Sequence, residues 1–196
     1  HTLQKMQQQY IKRNARQAGE ERLEEYEQEN KDRLRKAFFR DITFRKDIPV
    51  QVPDITYCNT NYAYRFQAGW FQTAVIKVDG IHEQTEKNKA YIENKVVHEL
   101  EQNLKECYDW NYLFREGIYY LILNYPQEGQ EIQATMMKIL ENLVLQQNVI
   151  RDFQVTIGLG EASAFSEVFM KGYKAAKWAV DQRLVLGTNR VIQGQE

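Results

Sequence analysis

The sequence predicts an α+β domain: a mostly antiparallel sheet covered by helices, in the order βαββαβ-αβ, behind a long polar helix. Three observations carry this. Strand-like runs alternate with amphipathic helical stretches from residue 71 onward, and two of the runs are separated only by Glu116-Gly117. Residues 2–46, in contrast, hold no proline and a single glycine, Gly19. Pro49 and Pro53 end that helical pattern, because proline rejects a helix interior and pushes its predecessor into extended geometry. The chain therefore divides into a polar, coiled-coil-like linker helix (1–46), an irregular connection (47–70) and the sheet domain (71–196).

The first segment is dense in Gln, Glu, Lys and Arg, all good helix formers. Its apolar positions are sparse. Leu3, Met6 and Tyr10 are spaced like a heptad seam, which Leu23 and Leu34 partly resume. The stripe is too thin for a core helix and suits a helix that pairs with its twin in a homodimer. A solvated linker helix held by Glu/Lys pairs is the plainer alternative. Gly19 and the acid-rich stretch 20–29 mark a possible break.

The connection carries Asn59, Tyr62, Phe66, Gly69 and Trp70, with aromatics that seal a sheet edge and anchor the linker helix, or else line a ligand pocket. Phe71–Asp79 then reads as a central strand with Ala74, Val75, Ile76 and Val78 buried. Residues 83–106 read as a helix with Ile92, Val96, Leu100 and Leu104 on one face. Two strands follow, 108–115 and 118–125, joined as a hairpin by the glycine-containing connection. Residues 128–147 form a second helix with Ile132, Met136, Leu140, Leu143 and Val144 inward. A strand over 153–159 comes next. A helix capped by Ser163 and running to about 182 turns Phe165, Phe169, Ala176 and Val180 to the sheet. A short strand over 190–193 closes the chain. The first six elements have the split βαβ order of ferredoxin-like folds.

Composition excludes several function classes. Hydrophobic residues make up 43% of the 196, the net charge is −1 and the pI is about 6.4. No basic excess points to direct contact with nucleic acid or to an anionic membrane. No apolar run reaches the ~18 residues of a membrane helix. Cys58 and Cys107 lie far apart with no metal-ligand spacing, so neither a disulfide, a metal nor another cofactor is implied, and a reducing cytoplasm fits. The chain starts at His1 within a helical pattern, as expected of a piece of a longer protein. V-V-H-E-L around His98 and Glu99 lacks the second histidine of HExxH, and Gly158-Leu159-Gly160 lacks the βαβ context of a dinucleotide site.

Two stretches carry a family resemblance. VTIGLG (155–160) resembles the S-[IV]-G-[IV]-[AG] strand of the GGDEF, or diguanylate cyclase, superfamily. GYKAAKWAVDQRLVLGTNRVI (172–192) resembles its A-x-x-A-[LM]-Y-x-A-K…G-[RK]-N-R-[VI] ending. Asn59, Tyr62, Phe66, Gly69 and Phe71 further match the N-x-x-Y-x-x-x-F-x-x-G-x-F of a degenerate branch. That branch is the middle domain between receiver and helix-turn-helix in AraC-type two-component response regulators.

The resemblance implies a site and also its erosion. Active members hold Mg²⁺ on a carboxylate at the end of the first strand and on acids at the hairpin tip. Here Lys77 stands at the leading acid, Asp79 survives, and the hairpin reads Phe114-Arg115-Glu116-Gly117-Ile118. The expectation is therefore no catalysis, with Lys77, Asp79, Arg115, Glu116 and Gly117 as a vestigial nucleotide or ligand site. The function implied is signal transmission and dimerisation within a bacterial transcriptional regulator whose receiver and DNA-binding domains lie outside these residues. The alternative is a small-molecule or nucleotide sensor derived from a cyclase.

Overall fold

A computed structural model describes residues 2–44, 53–127 and 131–194; the side chains of 2–4, 42 and 169 are not described. Helix α1 (Thr2–Phe44) runs 43 residues without interruption, about 65 Å at the α-helical rise. The expected break at Gly19 and 20–29 does not occur. Glutamates propagate a helix, Arg16 donates to Glu20 at 2.9 Å across one turn, and Gly19 faces open space within the helix. Every described side chain from Lys5 to Leu34 is exposed; Phe38 and Phe39 are then buried against the domain.

The sheet has five strands: β1 (Trp70–Asp79), β2 (Asp109–Arg115), β3 (Ile118–Tyr125), β4 (Gln154–Leu159) and β5 (Val191–Gln193). Their order is β2-β3-β1-β4-β5. Strand β1 is antiparallel to both neighbours, with Lys77 opposite Ile118 on one side and Thr156 on the other. Strand β5 adds parallel to β4. This is the split βαβ order expected from the sequence: helix α3 (Glu86–Asn103) carries the chain from β1 to β2, and β3 inserts between them.

Alternation along the strands builds two cores. Ala74, Ile76 and Val78 join Tyr119, Leu121 and Leu123 beneath α3 and helix α4 (Ile132–Leu145). Phe71 and Val75 join Tyr120 and Ile122 on the opposite face, beneath the end of α1 and helices α5 (Phe165–Lys171) and α6 (Lys174–Asp181). The α+β architecture behind a long N-terminal helix is thus the one the sequence predicts.

Two local expectations are corrected. The connection is not irregular throughout, because Ile55–Tyr62 forms helix α2, capped by Asp54, whose carboxylate accepts from the Tyr57 amide. The helix expected from Ser163 to about 182 is two pieces, α5 and α6, and a further short helix, α7 (Arg183–Leu186), follows it. Gly172 ends α5 at φ +61°, a conformation a side chain resists. Ser163 is no cap: it pairs through its backbone with Phe71, donating at 2.8 Å and accepting at 2.9 Å.

Candidate functional site

The five predicted site residues gather at one end of the sheet, where β1 leaves it and the β2–β3 hairpin turns. Glu116 and Gly117 have φ of +53° and +75°, the consecutive positive values of a two-residue primed turn. The turn folds onto β1: the Val78 amide donates to the Gly117 carbonyl at 2.9 Å. A Cβ at Gly117 would approach Ile81 Cγ2 to 2.9 Å, so only glycine fits both the backbone angle and the space. The hairpin glycine recognised in the sequence thus has a structural reason.

Lys77 is half-buried, with Nζ beside Gly117 and no ionic or hydrogen-bonding partner among the described residues. Opposite it on β4 lies Thr156, fully buried, whose hydroxyl also lacks a partner among the described residues. Asp79 is differently placed. Arg183 Nε donates to its Oδ2 at 2.8 Å and Nη2 to its Oδ1 at 3.2 Å, a two-pronged grip. Arg183 also donates to the Val180 carbonyl at 3.1 Å, and the hydrogen bond to Asp79 raises its pKa. Arg115 places its guanidinium 4.9 Å from the centre of the Phe44 ring, and Glu116 is exposed at the tip. Arg183 was not recognised from the sequence, since nothing in local spacing links two residues 104 positions apart.

Chemically, this corner offers an ammonium available to an anion, one carboxylate neutralised by an internal guanidinium, and one exposed carboxylate. Among the described residues no group of three or more His, Cys, Asp or Glu could hold a metal ion. His98 and His82 are exposed, as helix and turn positions without ligand spacing should be.

A second polar cluster lies where α1 meets the sheet, and sequence reasoning missed it entirely. Arg35 donates to both carboxylate oxygens of Asp109 at 2.8 Å, to the Trp110 carbonyl at 2.7 Å and to the Ala63 carbonyl at 3.1 Å. Its guanidinium lies 4.5 Å from the Tyr64 ring, and Tyr64 donates its hydroxyl proton to the Arg35 carbonyl at 2.9 Å. Asp109 accepts further from the Arg65 amide, and Asn111 donates to the Tyr64 hydroxyl. Strand β2 is a sheet edge, and Asp109 and Asn111 also accept from the following amides, Trp110 and Tyr112. The edge is thereby capped by its own side chains and by α1, which blunts pairing with foreign strands.

The aromatics of the connection serve the same joint. Tyr62 stacks on Phe38 at 4.5 Å, Tyr64 on Phe66 at 4.4 Å, and Asn59 clasps Phe66 by accepting from its amide and donating to its carbonyl, both at 2.9 Å. They anchor the helix and fill the core, the plainer of the two expectations. On the distal part of α1, the seam residues Met6, Tyr10, Leu23 and Leu34 are 64%, 67%, 58% and 39% exposed. The Leu3 side chain lies outside the described residues.

No family model matches the chain, and no curated protein matches it. Solved structures do. The active GGEEF domain of a diguanylate cyclase from Vibrio cholerae is 8% identical with a TM-score of 0.47, over 65% of this chain and 85% of that one. An EAL/GGDEF domain protein from M. capsulatus is 9% identical with a TM-score of 0.48, over 74% and 100%. The diguanylate cyclase SiaD from Pseudomonas aeruginosa, solved with its activator SiaC, is 14% identical with a TM-score of 0.48, over 96% and 76%. These neighbours correct one expectation. The altered motifs predicted that the chain is not an enzyme, yet the structures it resembles include diguanylate cyclases.

Proposed function

We propose that this chain is a signal-transmission and dimerisation module of an AraC-type two-component transcriptional regulator, with receiver and DNA-binding domains outside these residues. One observation carries the reading. Helix α1 projects as an exposed arm from Lys5 to Leu34, bearing heptad-spaced apolar side chains, and then continues without interruption into contact with the sheet. An exposed seam of that kind is stabilised when two copies bury it together. A change imposed on the arm by an upstream domain would be delivered directly to the body of the module. Analytical ultracentrifugation tests it. The chain sediments as a reversible dimer, and Met6→Glu combined with Tyr10→Glu shifts it to monomer. A chain that stays monomeric at high concentration overturns the reading.

A second reading is favoured by half-buried Lys77, whose ammonium lies beside the hairpin glycine with no partner among the described residues. It is a sensor for a small anionic molecule or nucleotide, on a fold shared with cyclases. A lysine in that setting meets a phosphate as a point charge. Thermal-shift titration with GTP and with cyclic di-GMP, with and without Mg²⁺, tests it. A ligand at about a hundred times its Kd stabilises the fold by about 2.7 kcal/mol. No shift with either nucleotide removes this reading.

A further inference from the structure

We propose that the last three turns of α1 form a clamp along the edge strand β2. Arg35 pins it at one end and Phe44 at the other, and it carries displacement of the exposed arm to the Arg115–Gly117 hairpin. The inference rests on α1 being the helix that receives a signal, and it adds the route by which that signal reaches the domain.

The placement of contacts carries the argument. Arg35 grips Asp109 and the Trp110 carbonyl, at the start of β2. One residue on, the Lys36 ammonium lies 5.2 Å from the ring of Tyr112, in the middle of the strand. Phe44, the last residue of α1, meets the Arg115 guanidinium at 4.9 Å and the Tyr120 ring edge-on at 5.4 Å, at the hairpin. From Arg35 to Phe44 the helix rises about 14 Å. From Asp109 to Arg115 the strand extends about 20 Å. Side-chain reach covers the difference, so helix and strand run side by side over their shared length.

The two anchors differ in kind. Arg35 is the stiffer, because its planar fork is held by four hydrogen bonds and a ring face, and the Asp109 side chain it holds is only 2% exposed. A buried pair of this kind resists partial opening, since freeing one partner leaves the other uncompensated. It therefore behaves as an engaged-or-released element, which is what coupling between two sites requires. Phe44 makes softer ring contacts that follow the helix as it moves. At the far end the Gly117 carbonyl accepts from the Val78 amide, so the hairpin and the strand bearing Lys77 and Asp79 move together.

Hydrogen exchange on the full chain tests the clamp, comparing wild type with Arg35→Ala, Arg35→Lys and Phe44→Ala. Arg35→Ala speeds exchange about tenfold in segments covering 109–111 and also in those covering 75–80 and 114–120, a local opening felt at both ends. Arg35→Lys retains the charge but loses the fork, and gives the same pattern at smaller amplitude. Phe44→Ala loosens 114–120 while leaving 109–111 protected. Segment 155–159 keeps wild-type protection throughout, separating coupling from general destabilisation. If Arg35→Ala does not fold, the Lys and Phe44 variants read the same effect. Exchange that rises only around 109–111 in the Arg35 variants, or a hairpin indifferent to Phe44→Ala, overturns the clamp. Sedimentation of the same samples keeps the two readings apart. A monomeric chain with coupled exchange defeats the dimer module and supports the clamp, whereas a dimer with purely local exchange does the reverse.

Discussion

Glu99 shows what one buried charge does in this domain. It sits on α3 at 5% exposure, paired with Lys95 at 2.7 Å, and accepts from Asn142 on α4 at 2.7 Å. Burial alone would raise its pKa, but the hydrogen bonds from Lys95 and Asn142 outweigh it and hold the carboxyl below its ordinary 4.5. A depressed carboxyl contributes stability that is present above the unfolded pKa and is lost as pH falls through the folded one. Glu99→Gln should therefore cost about 1.5–3 kcal/mol at pH 7, as for a hydrogen bond to a charged group. The gap should close on acidification below pH 4.5, when wild-type Glu99 takes up its proton. Urea denaturation at pH 7 and pH 3 reads it, and a gap independent of pH would refute the assignment. In the sequence Glu99 stood out only as part of a failed metal motif; its partner Asn142 lies 43 residues away on another helix.

At the scale of elements, most of the domain was legible because burial leaves a periodic trace. Strand β3 was bounded to the residue, and the inward faces of α3 and α4 matched, since each packs one side against the sheet. What escaped was set by local breaks or by contact. Helix α2 was hidden by the prolines before it, although Asp54 three residues ahead of the Tyr57 amide was a readable cap. The division between α5 and α6 turns on Gly172, a glycine inside an otherwise helical stretch. The family-like motifs prove to be packing devices. At Gly158 an added Cβ would lie 2.7 Å from Val180 Cγ2 and 2.9 Å from the Val180 amide, so α6 rides directly on β4 there. Asn189 at φ +57° donates its amide to the Val155 carbonyl and accepts from the Val155 amide, pinning the last turn to β4. The Lys77–Gly117 corner was legible by resemblance. The Arg183 and Arg35 grips were not, because sequence spacing does not record a partner 104 or 74 positions distant.

For the molecule as a whole, thiol and phenol groups buried in both cores make folding a proton-linked event at high pH. Burial, with a lesser push from Asp54, raises the Cys58 thiol from 9.0 to about 12. Burial likewise raises Tyr125 from 10.0 to about 12, and Tyr64, Tyr119 and Tyr173 are raised as well. Each of these acids is neutral when protonated, so the folded state holds its proton at a pH where the unfolded chain has released it. Their contribution is fully present below the unfolded values of 9.0 and 10.0 and is lost as pH rises toward the folded ones. Each group subtracts about 1.4 kcal/mol per pH unit within its window. A domain stable by about 5–15 kcal/mol cannot absorb several such terms at once. The chain should therefore unfold cooperatively as pH climbs above 10.0 toward 12, drawing its buried tyrosines into ionisation in the same step. Absorbance at 295 nm followed beside near-ultraviolet circular dichroism checks this. Of the 12 tyrosines, the exposed ones titrate first, and the remainder ionise only as the aromatic signal collapses. Smooth ionisation of all of them near pH 10, with the aromatic signal intact, would mean that these phenols are open to solvent and that the core against which α1 is anchored is not closed.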